Sequence, residues 1–243
     1  MLIDLVLSGK RTLVVGEGQE PEFKALKLVE SNAEVTVVGG TFTEGLRRLA
    51  ARKPKQVRLI PAKASRAVVL RTIEEIDPRV VFISTGDPEL DEELNDAVRA
   101  SSGRTALVCV VDEPRLNDFN MPAIARMGDI SIGVSTGGKS PAMAGVLRRK
   151  IEKIITREDI LQVRLQGYIR KKSRKSLRSA ASRKDFAYKV IQDKRVGALL
   201  KEERYADARR LAEEMLRKEA KKSGPVRPAS GASGKSKGAP RYG

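Results

Sequence analysis

Ser135-Thr136-Gly137-Gly138-Lys139-Ser140-Pro141-Ala142 brings compliant backbone, hydroxyls and a cation into one short span that runs on to Arg148-Arg149-Lys150. Such a segment suits an anion. Adjacent glycines permit positive φ and close backbone approach, Ser140 can cap a helix that starts at Pro141, and a helix N-terminus favours negative charge. The string from Gly133 to Ser140 also meets the spacing of a Walker A loop. It comes late in the chain, runs at once into a proline and has no later strand with a usable Asp, so we read that match as accidental. A glycine turn capping a helix is the plain alternative.

Four further clusters could do chemistry. Gly16-Glu17-Gly18 follows an apolar run and has the start of a dinucleotide fingerprint, with Pro21 where the third glycine belongs. Glycines there allow a tight turn and approach of a pyrophosphate, while Glu17, Glu20 and Glu22 load the next helix start with charge that opposes a second anion. Gly39-Gly40-Thr41 follows the next apolar run, where an adenosine ribose would lie, and no Asp or Glu ends that run, which leaves NAD and NADP undistinguished. Asp112, directly after the fifth apolar run, is placed either as a general base facing a ligand crevice or as an Asx-turn residue before Pro114, and Thr85-Gly86-Asp87 after the fourth poses the same choice.

The elements that position these residues follow from apolar periodicity. Thr12–Gly16, Glu34–Val38, Leu59–Ile60, Val80–Thr85 and Ala106–Val111 read as strands, and Glu22–Ser31, Arg66–Glu75 and Asp91–Ala100 as helices between them. That alternation predicts a Rossmann-like α/β domain with a parallel sheet over residues 1–113. The rhythm breaks over 113–128 and resumes with a strand at Ile130–Ser135 and an amphipathic helix over 141–155. Helical periodicity continues through Leu161–Leu165, Phe186–Leu200 and Tyr205–Leu216, a helical basic domain over 156–220. Residues 221–243, rich in Gly, Ser, Pro and Lys, read as a disordered basic tail.

Composition bounds the chemistry. The 243 residues suffice for one core of about 150 residues and a smaller appendage. Lys and Arg number 48 against 31 Asp and Glu, a net charge of +17 concentrated in the C-terminal third, which points to a polyanionic partner or substrate. Nucleic acid is a weaker reading than a small anion, because Tyr168, Phe186, Tyr188 and Tyr205 sit at core-like helical spacing and few other aromatics could stack on bases. There is no histidine, so proton transfer must fall to Asp, Glu, Lys, Tyr or the substrate itself. A single cysteine, Cys109, rules out an internal disulfide and a Cys-cluster metal site; no metal ligands are assigned. No stretch approaches the roughly 20 apolar residues of a membrane span. A soluble, cytoplasmic protein is expected.

The order of these segments resembles the precorrin-2 dehydrogenase/sirohydrochlorin ferrochelatase module of siroheme synthases. The resemblance is carried by Leu-Val-Val-Gly-Glu-Gly, Glu-Val-Thr-Val-Val, Ile-Ser-Thr-Gly-Asp, Val-Val-Asp112-Glu-Pro, Phe119-Asn-Met-Pro122-Ala and Val-Ser-Thr136-Gly-Gly-Lys-Ser-Pro-Ala. It runs collinearly over about residues 1 to 155 and more loosely to about 220. It implies NAD-dependent oxidation of precorrin-2 to sirohydrochlorin, with Fe²⁺ insertion to siroheme in some members. Asp112 would be the catalytic carboxylate. Gly16, Gly18, Gln19, Glu20, Gly40, Thr41 and Thr85 would contact the cofactor, and Met121, Pro122, Ser135, Thr136, Gly137, Gly138, Lys139 and Ser140 the tetrapyrrole. The resemblance also implies a homodimer built through residues 114–155. A non-catalytic homologue that binds tetrapyrrole or nucleotide is the alternative, motivated by the acidic glycine turn. The chain departs from the family at Gln19-Glu20-Pro21-Glu22, where small apolar residues are usual, and at Cys109, often Asn.

Overall fold

A computed structural model of the chain describes residues 2–101 and 106–222. They form two compact units, one containing the chain up to Pro122 together with Ser135–Pro141, the other Ala123–Val134 and the chain from Ala142 onward.

The first unit is built on five strands: β1 (Arg11–Gly16), β2 (Glu34–Gly39), β3 (Val57–Pro61), β4 (Val80–Ser84) and β5 (Leu107–Val110). All pair in parallel, in the order β3-β2-β1-β4-β5. The central strands β1 and β4 are runs of Val, Leu, Ile and Phe because both their faces are covered, whereas the edge strand β3 carries the exposed Arg58. Leu13, Val15, Val38, Val81, Ile83 and Val110 pack on one face, while Val14, Val35, Val37 and Phe82 pack on the other. Helices α1 (Gln19–Glu30), α2 (Glu44–Arg52), α3 (Arg66–Ile76) and α4 (Pro88–Ala100) make the crossovers. Each starts where local chemistry satisfies its free amides: Thr43, Ser65 and Asp87 accept from the first turns of α2, α3 and α4. Asp87 is therefore a helix cap. Helix α1 is the exception and has no side-chain cap.

The sequence reading placed the first-unit strands within two residues of their observed ends but, besides a single 3₁₀ turn at Pro114–Leu116, left out a helix and a strand. Helix α2 buries only Leu46, which leaves almost no apolar stripe to detect. The other is β6 (Ala123–Met127), which pairs antiparallel with β7 (Ile130–Val134) around Gly128. The irregular stretch before it is ordered by the edge strand β5. Asn117 Oδ1 accepts from the Val110 amide at 2.6 Å and Asp118 Oδ2 from the Val108 amide at 2.8 Å, while the Asp118 amide donates to the Val108 carbonyl. Arg99 holds Asp118 in place with two bonds of 3.1 Å to Oδ1.

The second unit contains the β6–β7 hairpin, α5 (Pro141–Glu152) beyond its first residue, α6 (Arg157–Ser176), α7 (Ala180–Gln192), α8 (Lys194–Lys201) and α9 (Tyr205–Lys222). Leu165, Ile169, Phe186, Val190, Val196, Leu200 and Ala212 form the core shared by α6 to α9. Thr156 and Ser179 start α6 and α7 with capping boxes. Two readings of this region change. The periodicity over Phe186–Leu200 is broken at Asp193, whose carboxylate caps α8, and Arg195 beside it holds that carboxylate below its usual range. Lys221 and Lys222 belong to α9 and not to a tail; the rest of the expected tail lies outside the described residues. No helix among the described residues is long and apolar enough to cross a membrane.

Candidate functional site

In the order β3-β2-β1-β4-β5 the chain direction of progress reverses between β1 and β4, so the loops at their carboxyl ends diverge and leave a crevice. Gly16 ends β1 opposite Ser84, the last residue of β4. Its φ is +137°, and a Cβ there would lie 1.9 Å from the Ser84 carbonyl oxygen. Gly16 is thus what lets the two strand ends close on each other. Gly18 differs in kind. With φ +89° it stands at the start of α1, a Cβ would meet nothing within 4 Å, and the first turn of α1 has no side-chain cap. Open space, free amides and the positive end of a helix dipole together fit a pyrophosphate.

The acidic residues expected to spoil this site are turned away from it. Glu17 accepts from the Gly40 amide at 2.9 Å and from the Thr41 hydroxyl at 2.7 Å, and these bonds, helped by Lys63, hold its carboxyl below the ordinary range. Glu22 accepts from the Thr43 hydroxyl at 2.6 Å, and its carboxylate occupies the space a Cβ at Gly45 would take. Glu20 faces Lys24 at 3.4 Å. Glu17 and Glu22 thereby join the turn after β1 to the turn after β2. A carboxylate does sit at the end of β2, contributed by the turn after β1. Sequence reading missed Glu17 in this role because only the fold brings residue 17 to residue 40.

Thr85 follows β4 at the same edge. Its hydroxyl donates to Asp91 at 2.6 Å and its amide to the same oxygen at 3.0 Å, so it orders the turn into α4. Asp112 lies two residues beyond β5, beside β4 in the sheet, and is exposed with no hydrogen-bond or ion-pair partner among the described residues. Asp112 lies in the turn that the Glu113 amide closes on the Val110 carbonyl at 3.4 Å, yet its carboxylate makes none of the bonds of an Asx-turn. Gln19 is exposed in the first turn of α1.

Met121 and Pro122 precede the hairpin, and Ser135 to Ser140 follow it. Ala123 pairs with Val134, which makes Pro122 and Ser135 neighbours across the paired end. Both flanks belong to the sheet-containing unit. Gly137 and Gly138, with φ of +62° and +79°, form a tight turn closed by the Lys139 amide on the Thr136 carbonyl at 3.2 Å. Thr136 Oγ1 accepts from the Ser140 amide at 3.1 Å, and Ser135 Oγ from the Gly137 amide at 3.2 Å. Thr136, from the other side of the turn, thus serves the Ser140 amide just before α5. The Lys139 side chain is exposed and unpaired. Gly133 sits inside an antiparallel strand opposite Ile124, which disposes of the Walker A match: a P-loop leaves a parallel strand. Among the described residues no group of three or more His, Cys, Asp or Glu could hold a metal ion.

A doubly wound parallel sheet with an uncapped, glycine-led first helix defines an NAD(P)-binding type of domain, and residues 3–123 match a family model described as "Putative NAD(P)-binding". Residues 128–154 match a second, "Sirohaem biosynthesis protein central". The chain is 25% identical over 221 residues to Siroheme synthase 3 of Aeromonas hydrophila, covering 90% of this chain and 45% of that protein. It is 29% identical over 199 residues to Precorrin-2 dehydrogenase of Methanosarcina barkeri, covering 79% of this chain and 83% of that one. The chain spans about half the length of the siroheme synthases it matches. A solved structure, SirC, precorrin-2 dehydrogenase, superposes with a TM-score of 0.66 at 18% identity over 91% of this chain and 99% of its own, and so shares the fold. The chain belongs to the siroheme synthase N-terminal/precorrin-2 dehydrogenase family.

Proposed function

We propose that this chain is an NAD⁺-dependent precorrin-2 dehydrogenase of siroheme biosynthesis, acting as a cytoplasmic homodimer. The observation that carries the reading is the carboxyl edge of the sheet, where the open start of α1, the Glu17–Gly40–Thr41 junction and the unpartnered Asp112 follow β1, β2 and β5. NAD⁺ supplies the hydride acceptor for the oxidation. The residues would divide the remaining work. Amides of Gly18, Gln19 and Glu20 face the cofactor phosphates, Gly16 keeps the crevice narrow, and Gly40, Thr41 and Glu17 meet a ribose. The backbone of Thr85, ordered by Asp91, shapes the wall beside β4. Asp112 takes the proton released from the macrocycle. Met121, Pro122 and the turn from Ser135 to Ser140 hold the tetrapyrrole, with the free Lys139 ammonium meeting an acetate or propionate. For the dimer, Ile124 of β6 and Met143 and Ile154 of α5 and its end expose 37%, 44% and 70% of their surface and form the apolar part of an interface.

The test is a spectroscopic assay with precorrin-2 and NAD⁺, with and without Fe²⁺, alongside the mass of the particle in solution. Sirohydrochlorin formed only with NAD⁺ supports the reading; further conversion on adding Fe²⁺ adds ferrochelation. Tetrapyrrole binding without turnover would favour the non-catalytic homologue, whose motive is weakened now that the acidic residues of the glycine turn face hydrogen-bond donors.

Glu17 also decides between the two nicotinamide cofactors. Its carboxylate accepts from hydroxyls but repels a phosphate on the ribose, so NAD⁺ should be preferred over NADP⁺. Glu17→Gln should narrow that preference by roughly tenfold, the size expected for one charge pair in a partly hydrated site. Comparing dissociation constants for both cofactors checks this, and an unchanged ratio would remove the ribose from Glu17. The bonds to Gly40 and Thr41 favour the ionised carboxylate. Their contribution is therefore present above the unfolded carboxyl value and is lost as pH falls through the depressed folded one.

A further inference from the structure

Between Ile160 and Lys184 the chain carries nine Lys and Arg and no Asp or Glu. Part of this charge is used by the fold. Arg183 donates to the Leu177 and Arg178 carbonyls at the end of α6, Arg164 lies over the Tyr205 ring and Lys172 over the Tyr168 ring. Arg170, Arg174 and Lys184 are exposed and have no ion-pair or hydrogen-bond partner among the described residues.

These three stand around a groove of about 610 Å³ between α6 and α7, a size suited to a small organic ligand. Its apolar lining residues are Val163, Ile169, Ala180 and Ala187. Two details of the lining lack an explanation in the fold. Gly167 lies in the middle of α6, where glycine weakens a helix, yet a Cβ there would meet nothing within 4 Å. Gln166 Nε2, like Gln162 Nε2 outside the lining, is buried without a hydrogen-bond acceptor, an arrangement folded proteins seldom leave unmet.

An apolar bed and a rim of unpaired cations complement a flat apolar body edged with carboxylates. A nucleic-acid strand matches the rim but not the bed, and the groove has no free aromatic for stacking a base. We propose that the α6–α7 groove is a second binding site for polycarboxylate tetrapyrroles, built by the helical unit alone. Arg170, Arg174 and Lys184 pair with the carboxylates, and Gly167 leaves room for the macrocycle. The ligand class rests on the tetrapyrrole reading of the protein; the site rests on the groove.

Uroporphyrin, which carries acetates and propionates on every ring, is the probe. It is titrated into the full chain and followed by absorbance and fluorescence. The wild-type chain should bind two porphyrins. Gly167→Leu, which fills the groove without changing charge, and the pair Arg170→Ala/Arg174→Ala should each weaken one of the two by at least tenfold, with precorrin-2 turnover retained. One porphyrin per chain in all three proteins would overturn the proposal. So would weakening by the arginine pair alone, which marks diffuse charge attraction, or loss of turnover with binding, which makes the groove part of the catalytic site. A single-stranded DNA oligonucleotide that displaces porphyrin from wild type, and loses affinity in Gly167→Leu, would assign the groove to nucleic acid. Absence of dehydrogenation by the wild-type chain bears on the function proposed above and leaves the groove measurements standing.

Discussion

Asp112→Asn should abolish precorrin-2 oxidation while leaving the protein folded. The carboxylate is exposed and makes no hydrogen bond or ion pair among the described residues, so the amide of equal size costs the fold nothing. Its loss as a base should lower kcat by about 10²- to 10⁴-fold, the usual worth of one positioned proton acceptor. Cofactor affinity should stay as it was, since nothing proposed to hold NAD⁺ contacts Asp112. The chain has no histidine to substitute. Steady-state rates with a thermal melt read both halves of the prediction. A variant with wild-type kcat would remove Asp112 from the chemistry and leave it a loop residue.

Gly16→Ala should do the opposite and damage the fold first. At φ +137° an alanine is strained by about 1–3 kcal/mol. Its Cβ would also stand 1.9 Å from the Ser84 carbonyl oxygen, 2.6 Å from the carbonyl carbon and 3.2 Å from Pro21 Cγ. Relief requires the ends of β1 and β4 to part, at the centre of the sheet. A loss of more than about 4 kcal/mol is expected, against a total of about 5–15 kcal/mol for a typical domain. Gly18→Ala is the matched control. Its Cβ meets nothing, so the backbone strain alone remains, and the larger effect should fall on NAD⁺ affinity. Urea melts and cofactor titration separate the two; equal destabilisation would mean that the close approach of Gly16 to Ser84 is not what requires glycine.

The strands were legible in the sequence because β1, β2 and β4 are buried on both faces, which makes each an apolar run, broken in β2 only by the buried Thr36. Helix α2 was not, because a single buried Leu46 gives no periodicity; the signal present was Thr43, capping a turn that follows two glycines. The break at Asp193 was hidden for a related reason. Asp-Lys-Arg reads as one solvated helix face until the carboxylate is seen bound to the amides of Arg195 and Val196. At the candidate site the glycines and Asp112 could be placed by their positions after strands. Glu17 could not, since its charge alone suggested repulsion of a ligand, and its partners lie 23 and 24 residues away. The Ser135–Ser140 segment was rightly seen as a turn before a helix, while the Thr136 hydroxyl, not anticipated, is what braces it.

Asn117 and Asp118 have a consequence for how copies of this protein meet. Their side chains take up the amides of Val110 and Val108, the outward-facing donors of the last strand in the sheet. A strand from another molecule arriving there would find those donors already spent, so the sheet is not extended from this side into a continuous one, nor offered as a template for aggregation. Self-association is steered away from backbone pairing at β5 and left to side-chain surfaces elsewhere.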